Sequence, residues 1–384
     1  MIHDIDGNQV QLLRSGEEYF PALLAAFEGA RDEIWCESYT LEDDRIGQQV
    51  MAALVAAAVR GVRVHVLVDG VGSRAWVNAG GPDKLREQGV RVAVFRPERA
   101  WWDLRRSRLR RMHRKLMVID AELAFVGGIN LEDDLEEGVH RFDFAVALRG
   151  PLVADVHNAV WRMWRTVTWA ERGARAADAV PGRARALPQR VQGRITFLVR
   201  DNLWHRHDIE RAYRQALRAA HHEVLIANAY FFPGRRFRAD LQHAAQRGVK
   251  VTLVLAGVTD HPLLALATRA LYPQFRALGI DIVEYEESQL HAKVAIVDDE
   301  WATVGSSNID TLSLFLAREA NIFVRDRGFA GELAACVQAA IEDGERARQI
   351  DTAAVLTPWQ RLKARLAYQL VRGLIGLAGY GHHH

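Results

Sequence analysis

An internal duplication constrains the fold of this chain more than any other feature of its sequence. The segment HRKLMVIDAELAFVGGIN, which begins at His113, recurs as HAKVAIVDDEWATVGSSN from His291, 178 residues later. Two shorter pairs support the same duplication: EIWCESYT corresponds to EVLIANAY, and RGVRVHVLVDG corresponds to RGVKVTLVLAG. The chain is therefore predicted to contain one fold twice.

Short β-branched runs alternate with helical stretches in both halves, which is typical of α/β domains. Runs such as 62–69 are apolar enough to be strands buried on both faces. We therefore predict two similar α/β halves, each with a central, mostly buried sheet flanked by helices, packed as a pseudo-dimer. The predicted boundaries are a first half at 1–170, an Ala-, Arg-, Pro- and Gly-rich linker at 171–190, a second half at 191–350, an amphipathic C-terminal helix at 351–381 and a tag remnant at 382–384.

The overall composition is that of a globular chain. Its 384 residues carry 50 Lys and Arg against 48 Asp and Glu, a formal net charge of +2, and 49% are apolar; these values exclude a disordered or collagen-like chain. Cys36 and Cys336 lack paired spacing, so neither a disulfide framework nor a thiolate metal site is predicted. The longest apolar run, 50–59, is shorter than the roughly 18 residues of a membrane span. We expect a chain that does not cross a bilayer, in a reducing compartment.

Both copies of the repeated segment carry the same polar residues at the same spacing. They are His113, Lys115, Asp120, Gly127, Gly128 and Asn130 in the first copy, and His291, Lys293, Asp298, Gly305, Ser306 and Asn308 in the second. Side chains at i and i+2 of a strand share a face, so each His and Lys would point toward one ligand. An imidazole can attack phosphorus or donate a proton, while lysine and asparagine stabilise charge on phosphate oxygens. The pattern therefore predicts phosphoryl chemistry, with the small Gly-Gly and Gly-Ser pairs giving room to a crowded phosphate.

This duplicated pattern resembles the HKD signature of the phospholipase D superfamily, over nearly the whole chain. The resemblance implies the phospholipase D fold and a two-step transfer that needs no metal or other cofactor. One histidine attacks the phosphodiester to form a phosphohistidine, and the other protonates the leaving alcohol and then deprotonates the acceptor. The implied catalytic set, in which the aspartates look structural, is His113 (nucleophile), Lys115, Asp120, His291 (acid and base), Lys293 and Asp298.

The resemblance also implies a supporting set around the histidines. Asp143 and Glu319 lie 30 and 28 residues after the two histidines and resemble the family carboxylates that orient the imidazoles. The alternative for these two acids is a solvated charge at a strand end. The remaining residues expected to bind or support the phosphate are Asn130, Asn308, Ser306 and Gly128.

Three segments of the second half, RDNLWHRHDIERAYRQAL, NAYFFPG and HAKVAIVDDEWATVGSSNIDTLSLFLAREAN, look like bacterial cardiolipin synthases of the B type. That implies transfer of a phosphatidyl group, from phosphatidylglycerol or phosphatidylethanolamine, to phosphatidylglycerol. The alternatives are a phospholipase D that yields phosphatidic acid, a metal-independent nuclease, and a non-enzymatic module that binds anionic lipid. Because of an acidic run at 132–137, the shape of the part of the site that would bind the acceptor is not predicted. His205 and His207 have no third ligand nearby and do not predict a metal site.

Two segments suggest contact with a membrane. Residues 96–115 contain nine basic residues and two acids, and basic and tryptophan side chains favour anionic lipid interfaces. Nucleic acid is the alternative partner on electrostatics alone, and the resemblance favours lipid. The predicted docking residues are Trp101, Trp102, Arg105, Arg106, Arg108, Arg110 and Arg111.

The second membrane candidate is the C-terminal stretch, where leucines recur at helical spacing from Trp359 onward. Such a helix can lie in the membrane interface, and packing on the catalytic body is the alternative. Together the two segments indicate a cytoplasmic protein held peripherally on the inner face of the cell membrane.

Overall fold

The computed structural model describes residues 1–97, 110–136, 138–172, 193–201, 205–259, 261–310, 317–342, 347–350 and 358–375. Most of the predicted linker, 173–190, lies outside these ranges, as do 351–357 and 376–384. Within them, both halves contain one large mixed sheet flanked by helices, which confirms the predicted duplicated α/β fold.

The first half contains ten described strands and five described helices. The strands are β1 (Ile2–Ile5), β2 (Asn8–Arg14), β3 (Glu33–Ser38), β4 (Arg63–Asp69), β5 (Arg91–Phe95), β6 (Lys115–Ile119), β7 (Leu123–Gly127), β8 (Leu135–Glu136), β9 (Val139–His140) and β10 (Phe144–Arg149). The helices are α1 (Ser15–Gly29), α2 (Arg45–Val59), α3 (Arg74–Asn78), α4 (Gly81–Glu87) and α5 (Val153–Arg172).

The second half, with the C-terminal helix, follows the same plan. Its described strands are β11 (Ile195–Arg200), β12 (Glu223–Asn228), β13 (Phe231–Phe232), β14 (Lys250–Ala256), β15 (Asp281–Tyr285), β16 (Lys293–Val297), β17 (Trp301–Gly305), β18 (Ile309–Asp310), β19 (Glu319–Arg325) and β20 (Ala347–Gln349). Its described helices are α6 (Asp208–Ala219), α7 (Arg235–Gln246), α8 (Pro262–Arg269), α9 (Tyr272–Ala277), α10 (Arg327–Glu342) and α11 (Pro358–Ile375).

The strand orders of the two large sheets show the duplication directly. The first sheet runs β1-β2-β10-β7-β6-β3-β4-β5, and the second runs β11-β19-β17-β16-β12-β14-β15-β20. Seven consecutive strands correspond, from β2 with β11 to β5 with β15; β1 extends one sheet and β20 extends the opposite edge of the other. In both sheets the strand that begins at the motif lysine therefore lies in the interior of the sheet, and the motif histidine lies two residues before that strand rather than within it.

A hairpin of the same kind shapes both motifs. Strands β6 and β7 pair antiparallel, as do β16 and β17. Asp120 and Ala121 have φ of 52° and 53°, and Asp298 and Asp299 have φ of 54° and 49°. In each hairpin these two residues are the centre of a turn closed by a backbone hydrogen bond, from Glu122 N–H to Ile119 O at 3.0 Å and from Glu300 N–H to Val297 O at 3.1 Å. Asp tolerates positive φ better than a β-branched residue does.

The halves share one apolar core. Side chains from the inner faces of both sheets pack with helices α5 and α10 in a single cluster, which includes Trp35, Phe144, Val160, Ile322 and Leu333. The outer face of each sheet has its own cluster beneath α1 and α2 or beneath α6 and α7. The pseudo-dimer is therefore a layered body whose central layer belongs to both halves.

Two reciprocal backbone contacts join the halves beside the motifs. Met112 pairs with Arg318, and Leu290 pairs with Phe142, each as an isolated parallel bridge. His113 N–H donates to Arg318 O at 2.9 Å, and His291 N–H donates to Phe142 O at 2.9 Å. Because Arg318 and Phe142 immediately precede Glu319 and Asp143, each histidine is aligned with the acid of the opposite half.

A buried ion pair distinguishes the first half from the second. Arg114 Nη2 contacts both carboxylate oxygens of Glu37, at 2.9 and 2.7 Å, and both side chains are buried. Burial raises the pKa of Glu37 to about 7, against the opposing effect of Arg114. The repeat places Ala227 and Ala292 at the matching positions of the second half, so the same fold exists with and without the pair.

We predict that Glu37→Ala lowers the free energy of unfolding by about 3–5 kcal/mol, because it leaves a buried guanidinium without its counter-ion. The double variant Glu37→Ala, Arg114→Ala should lose less than half as much, since it reproduces the alanine pair of the second half. Urea unfolding followed by tryptophan fluorescence measures both. A double variant as unstable as the single one would contradict this explanation.

Candidate active site

The two motif histidines meet at the interface of the halves, and each binds a carboxylate from the opposite half. His113 Nδ1 lies 3.1 Å from Glu319 Oε2, and His291 Nδ1 lies 2.6 Å from Asp143 Oδ2. Both acids are buried. A carboxylate that holds Nδ1–H leaves Nε2 as the nitrogen for chemistry. The structure thus brings Asp143 and Glu319 to the imidazoles, across the pseudo-dimer rather than within each half.

The two motif lysines are buried beside the histidines. Lys115 Nζ donates to His113 O at 3.0 Å, and Lys293 Nζ donates to His291 O. Lys293 Nζ also lies 3.7 Å from Asp143 Oδ2. Burial, together with the nearby charge of Lys293, lowers the pKa of Lys115 to about 7. Positive charge on Lys115 therefore carries a free-energy cost, which a bound anion would relieve.

Both motif histidines are uncharged at neutral pH, because their pKa values are lowered. Burial lowers the pKa of His291 to about 3, with Lys293 acting in the same direction and Asp143 against it. Burial also lowers the pKa of His113, against the effect of Glu319. Burial acts to raise the pKa of Asp143, but Lys293 and His291 outweigh it and lower that pKa. At neutral pH the site thus offers two uncharged imidazoles, the form that attacks phosphorus.

The Gly-Gly and Gly-Ser pairs make room for the carboxylates. A Cβ on Gly128 would overlap Asp143 Oδ1, so the short Asp requires glycine there. At the matching position Ser306 Oγ donates to Glu319 Oε2 at 2.6 Å and accepts from Ala320 N at 3.0 Å. The sequence pattern predicted room for a phosphate at these positions; the structure fills that room with the groups that orient the histidines.

The motif aspartates do not join the histidines. Asp120 and Asp298 follow the far ends of β6 and β16, away from the lysines that begin those strands. Asp120 accepts from the backbone N–H groups of residues 31–33, and Asp298 accepts from those of residues 221–223, at 2.7–2.9 Å. They hold the turn that enters the adjacent strand, so their place in the catalytic set is structural.

The motif asparagines lie near the site in different settings. Asn130 Nδ2 donates to Glu132 Oε1 at 3.1 Å, and that carboxylate also accepts from Arg141 at 2.8 Å. Asn308 is buried, and its Oδ1, like that of Asn130, has no hydrogen-bond partner within the described part of the chain. Each motif asparagine therefore leaves a buried amide oxygen without a partner among the described residues.

Acidic side chains of the run at 132–137, after the first motif, bind other residues of the first half. Asp133 forms two hydrogen bonds with Arg45, both of 2.8 Å. Asp134 is buried and accepts from Gly16 N at 2.7 Å while contacting His140 Nδ1 at 2.7 Å. Within the described residues, the run therefore stabilises loops of the first half through hydrogen bonds.

Two residues at the site were not identified from the sequence. The Tyr39 ring lies 5.0 Å from the His113 ring, and Lys115 Nζ lies 5.4 Å from the Tyr39 ring centre. Asp69 is buried and accepts from Met112 N at 2.8 Å, which fixes the segment entering His113. The sequence signal that could have identified Asp69 is a mismatch within the repeat: the residue before the final glycine is Asp69 in HVLVDG and Ala256 in TLVLAG.

The predicted docking segment is described only in part. Trp101, Trp102, Arg105, Arg106 and Arg108 lie outside the described residues. Arg111 binds Asp69 at 3.2 Å and is largely buried, so its predicted role in docking is wrong. Arg110 contributes its carbonyl to Arg96 Nη1 at 3.3 Å. Among the described helices, none has the length and apolar character needed to cross a membrane.

Comparisons with known proteins show which family and which fold the chain resembles. The family model described as "Cardiolipin synthase, PLD-like domain" matches residues 23–164 and 213–340. Cardiolipin synthase B of Escherichia coli K12 is 38% identical over 98% of this chain and 90% of its own length, and that of Salmonella typhi is 39% identical over the same shares. Phosphatidylserine synthase of Haemophilus influenzae Rd KW20 has a TM-score of 0.65 at 12% identity, covering 97% of this chain and 95% of that one, a likeness of fold alone.

We predict that Gly128→Ala lowers kcat on a chromogenic phosphodiester about 100-fold, because the new methyl group displaces Asp143 and misplaces His291. Ser306→Ala adds no atom and should lose about tenfold or less. Steady-state kinetics at saturating substrate measures both variants. Equal losses would show that Asp143 does not depend on the space at residue 128.

We also predict that binding of an anion to the site takes up a proton above pH 7. Lys115 is largely neutral at pH 9 in the free site, and an anion favours its charged form, so the Kd for sulfate should rise by up to about tenfold per pH unit between pH 7 and pH 9. Calorimetry in buffers of different ionisation enthalpy measures the uptake. Lys115→Met is the control and should bind sulfate more weakly with a flatter profile; a flat profile in the unmodified protein would contradict the prediction.

Proposed function

Because the chain belongs to the phospholipase D-like cardiolipin synthase family, we propose that it is a cardiolipin synthase, a phosphatidyltransferase that acts on phospholipids. The observation that carries the proposal is the pairing of two carboxylate-bound imidazoles with two buried lysines at one interface. That arrangement supplies a nucleophile, a proton carrier and positive charge for the non-bridging oxygens of a phosphodiester.

In the first step, His113 Nε2 attacks the phosphorus of a donor phospholipid. The P–O bond to the headgroup breaks, and the leaving alkoxide takes a proton from His291 Nε2. The products are a phosphatidyl group on His113 and free glycerol when the donor is phosphatidylglycerol. Lys115 and Lys293 stabilise the charge that develops on the non-bridging oxygens.

In the second step, the headgroup hydroxyl of an acceptor phosphatidylglycerol gives its proton to His291. The oxygen attacks phosphorus, and the bond between phosphorus and His113 breaks to restore the neutral imidazole. Two phosphatidylglycerols thus become one cardiolipin and one glycerol. Water in place of the acceptor would give phosphatidic acid, so the ratio of products depends on which hydroxyl reaches the intermediate.

The protonation states set one requirement on the first step. His291 must carry a proton to act as an acid, but in the empty site its pKa is lowered to about 3. A phosphodiester beside Lys293 and Lys115 offsets the charges that disfavour the imidazolium. Substrate binding therefore prepares the acid, whereas His113 needs no such change to attack.

We further propose that the enzyme works peripherally on the inner face of the cell membrane. Arg318 is largely buried beside His113, and burial, with Arg114 and Arg96 nearby, lowers its pKa to about 10. Burial and the charges of Arg110 and Arg111 likewise lower the pKa of Arg96. This concentration of cations on the His113 side suits a substrate drawn from an anionic lipid surface.

We predict that His113→Ala and His291→Ala each abolish cardiolipin formation from phosphatidylglycerol vesicles without added metal. Mass spectrometry of the lipid products identifies cardiolipin and phosphatidic acid separately. His222→Ala removes an exposed histidine outside the site, so it is the matched control and should retain catalysis. Undiminished cardiolipin from either histidine variant would contradict the mechanism.

A substrate with a good leaving group tests which histidine is the nucleophile. A nitrophenyl ester needs little acid assistance, so His291→Ala should still release a burst of nitrophenol while His113→Ala should not. The burst amplitude in rapid-mixing experiments measures the covalent step. The reverse pattern would exchange the two roles.

A further inference from the structure

The C-terminal helix α11 is fixed to the body by a face of small residues. Ala364, Ala367 and Val371 are buried, and the helix packs against α8. Tyr368 lies 5.3 Å from the Phe232 ring, and its hydroxyl accepts a hydrogen bond from Arg238 Nη1 at 3.1 Å. The face of small residues therefore packs on the catalytic body, which was one of the two alternatives for this helix.

The large apolar residues of the same helix face outward. Trp359, Leu362, Leu366 and Leu370 are exposed by 64%, 46%, 62% and 53%. At about 100° per residue these four side chains fall within an arc of about 80°. Because the helix already buries its other face, this stripe of large side chains is left for another surface.

The charges beside the stripe are all of one sign. The helix sequence PWQRLKARLAYQLVRGLI contains four basic residues and no acidic residue. Lys363 lies on one side of the stripe, with Nζ 5.5 Å from the Trp359 ring centre, and Arg365 and Arg372 lie on the other. Leucine and tryptophan flanked by cations is the composition of helices that lie in the interface of an anionic bilayer.

Helix α11 also packs close to the second motif. Phe232, which packs against Tyr368, belongs to β13, and β13 pairs with β18, which begins one residue after Asn308. Helix α8 adds an exposed Leu263 from the same region. We propose that α11 docks this half of the enzyme on an anionic lipid bilayer, lying parallel to the membrane with its leucine stripe inserted between the headgroups.

The choice of a lipid surface rests on the proposed function, so the test measures binding apart from turnover. The double variant Leu366→Glu, Leu370→Glu is compared with Val59→Glu, which places the same kind of charge on an exposed apolar residue of α2 in the first half. The full-length chain is sedimented with vesicles of phosphatidylcholine alone or mixed with phosphatidylglycerol. Thermal unfolding establishes that the variants fold.

We expect the unmodified protein and Val59→Glu to bind the anionic vesicles, and the double variant to bind at least tenfold more weakly. Arg365→Gln, Arg372→Gln should reduce the preference for anionic vesicles over neutral ones. Activity in detergent micelles should be the same for all these variants, because none of them lies at the catalytic groups. A folded double variant that binds like the unmodified protein would overturn the proposal.

Two further outcomes distinguish a failure of the docking proposal from a failure of the proposed function. If light scattering shows a dimer that Leu366→Glu, Leu370→Glu converts to a monomer while vesicle binding is unchanged, the stripe is an interface between copies and the proposal is overturned. If the stripe controls vesicle binding but no cardiolipin forms in micelles, the docking surface stands and the proposed function fails.

Discussion

Two hydrogen bonds that cross between the halves hold the catalytic arrangement together. Each imidazole is oriented by a carboxylate from the opposite half, Glu319 for His113 and Asp143 for His291. The backbone bridges beside them fix the spacing, because the residue before each acid pairs with the residue before the opposite histidine. Neither half contains a complete site by itself, and the two halves also bury one common apolar core.

The differences between the halves are as informative as the repeat. Gly128 gives room to a short carboxylate, whereas Ser306 binds a longer one, so the two acids reach their histidines by different packing. The buried pair Glu37 and Arg114 has alanine at both matching positions of the second half. Besides burial, Glu319 and Lys115 act on the pKa of His113, whereas Lys293 and Asp143 act on the pKa of His291, so the two imidazoles have different charged neighbours.

Burial sets the chemistry as much as residue identity does. Burial lowers the pKa of Lys115 and of both histidines, so these three groups hold less positive charge in the site than in water. An anionic phosphodiester restores that charge when it enters, so binding and activation of the acid become one event. Electrostatic attraction also acts outside the site, since the cations near the site and along α11 suit a substrate that resides in an anionic surface.

The sequence by itself determined the duplicated α/β fold and the motif histidines and lysines, because these depend on local periodicity and on a repeat that is still recognisable in the chain. It also indicated Asp143 and Glu319, but not which histidine each acid would reach, since that depends on contacts between residues 148 and 206 positions apart. Asp69 and Tyr39 were missed because their roles exist only through packing against the segment around His113. The tertiary structure alone decided that the carboxylates cross between halves, that Asp120 and Asp298 hold turns, and that α11 buries its alanines and exposes its leucines. In each case the outcome depends on which distant surfaces meet, and a linear pattern does not record that.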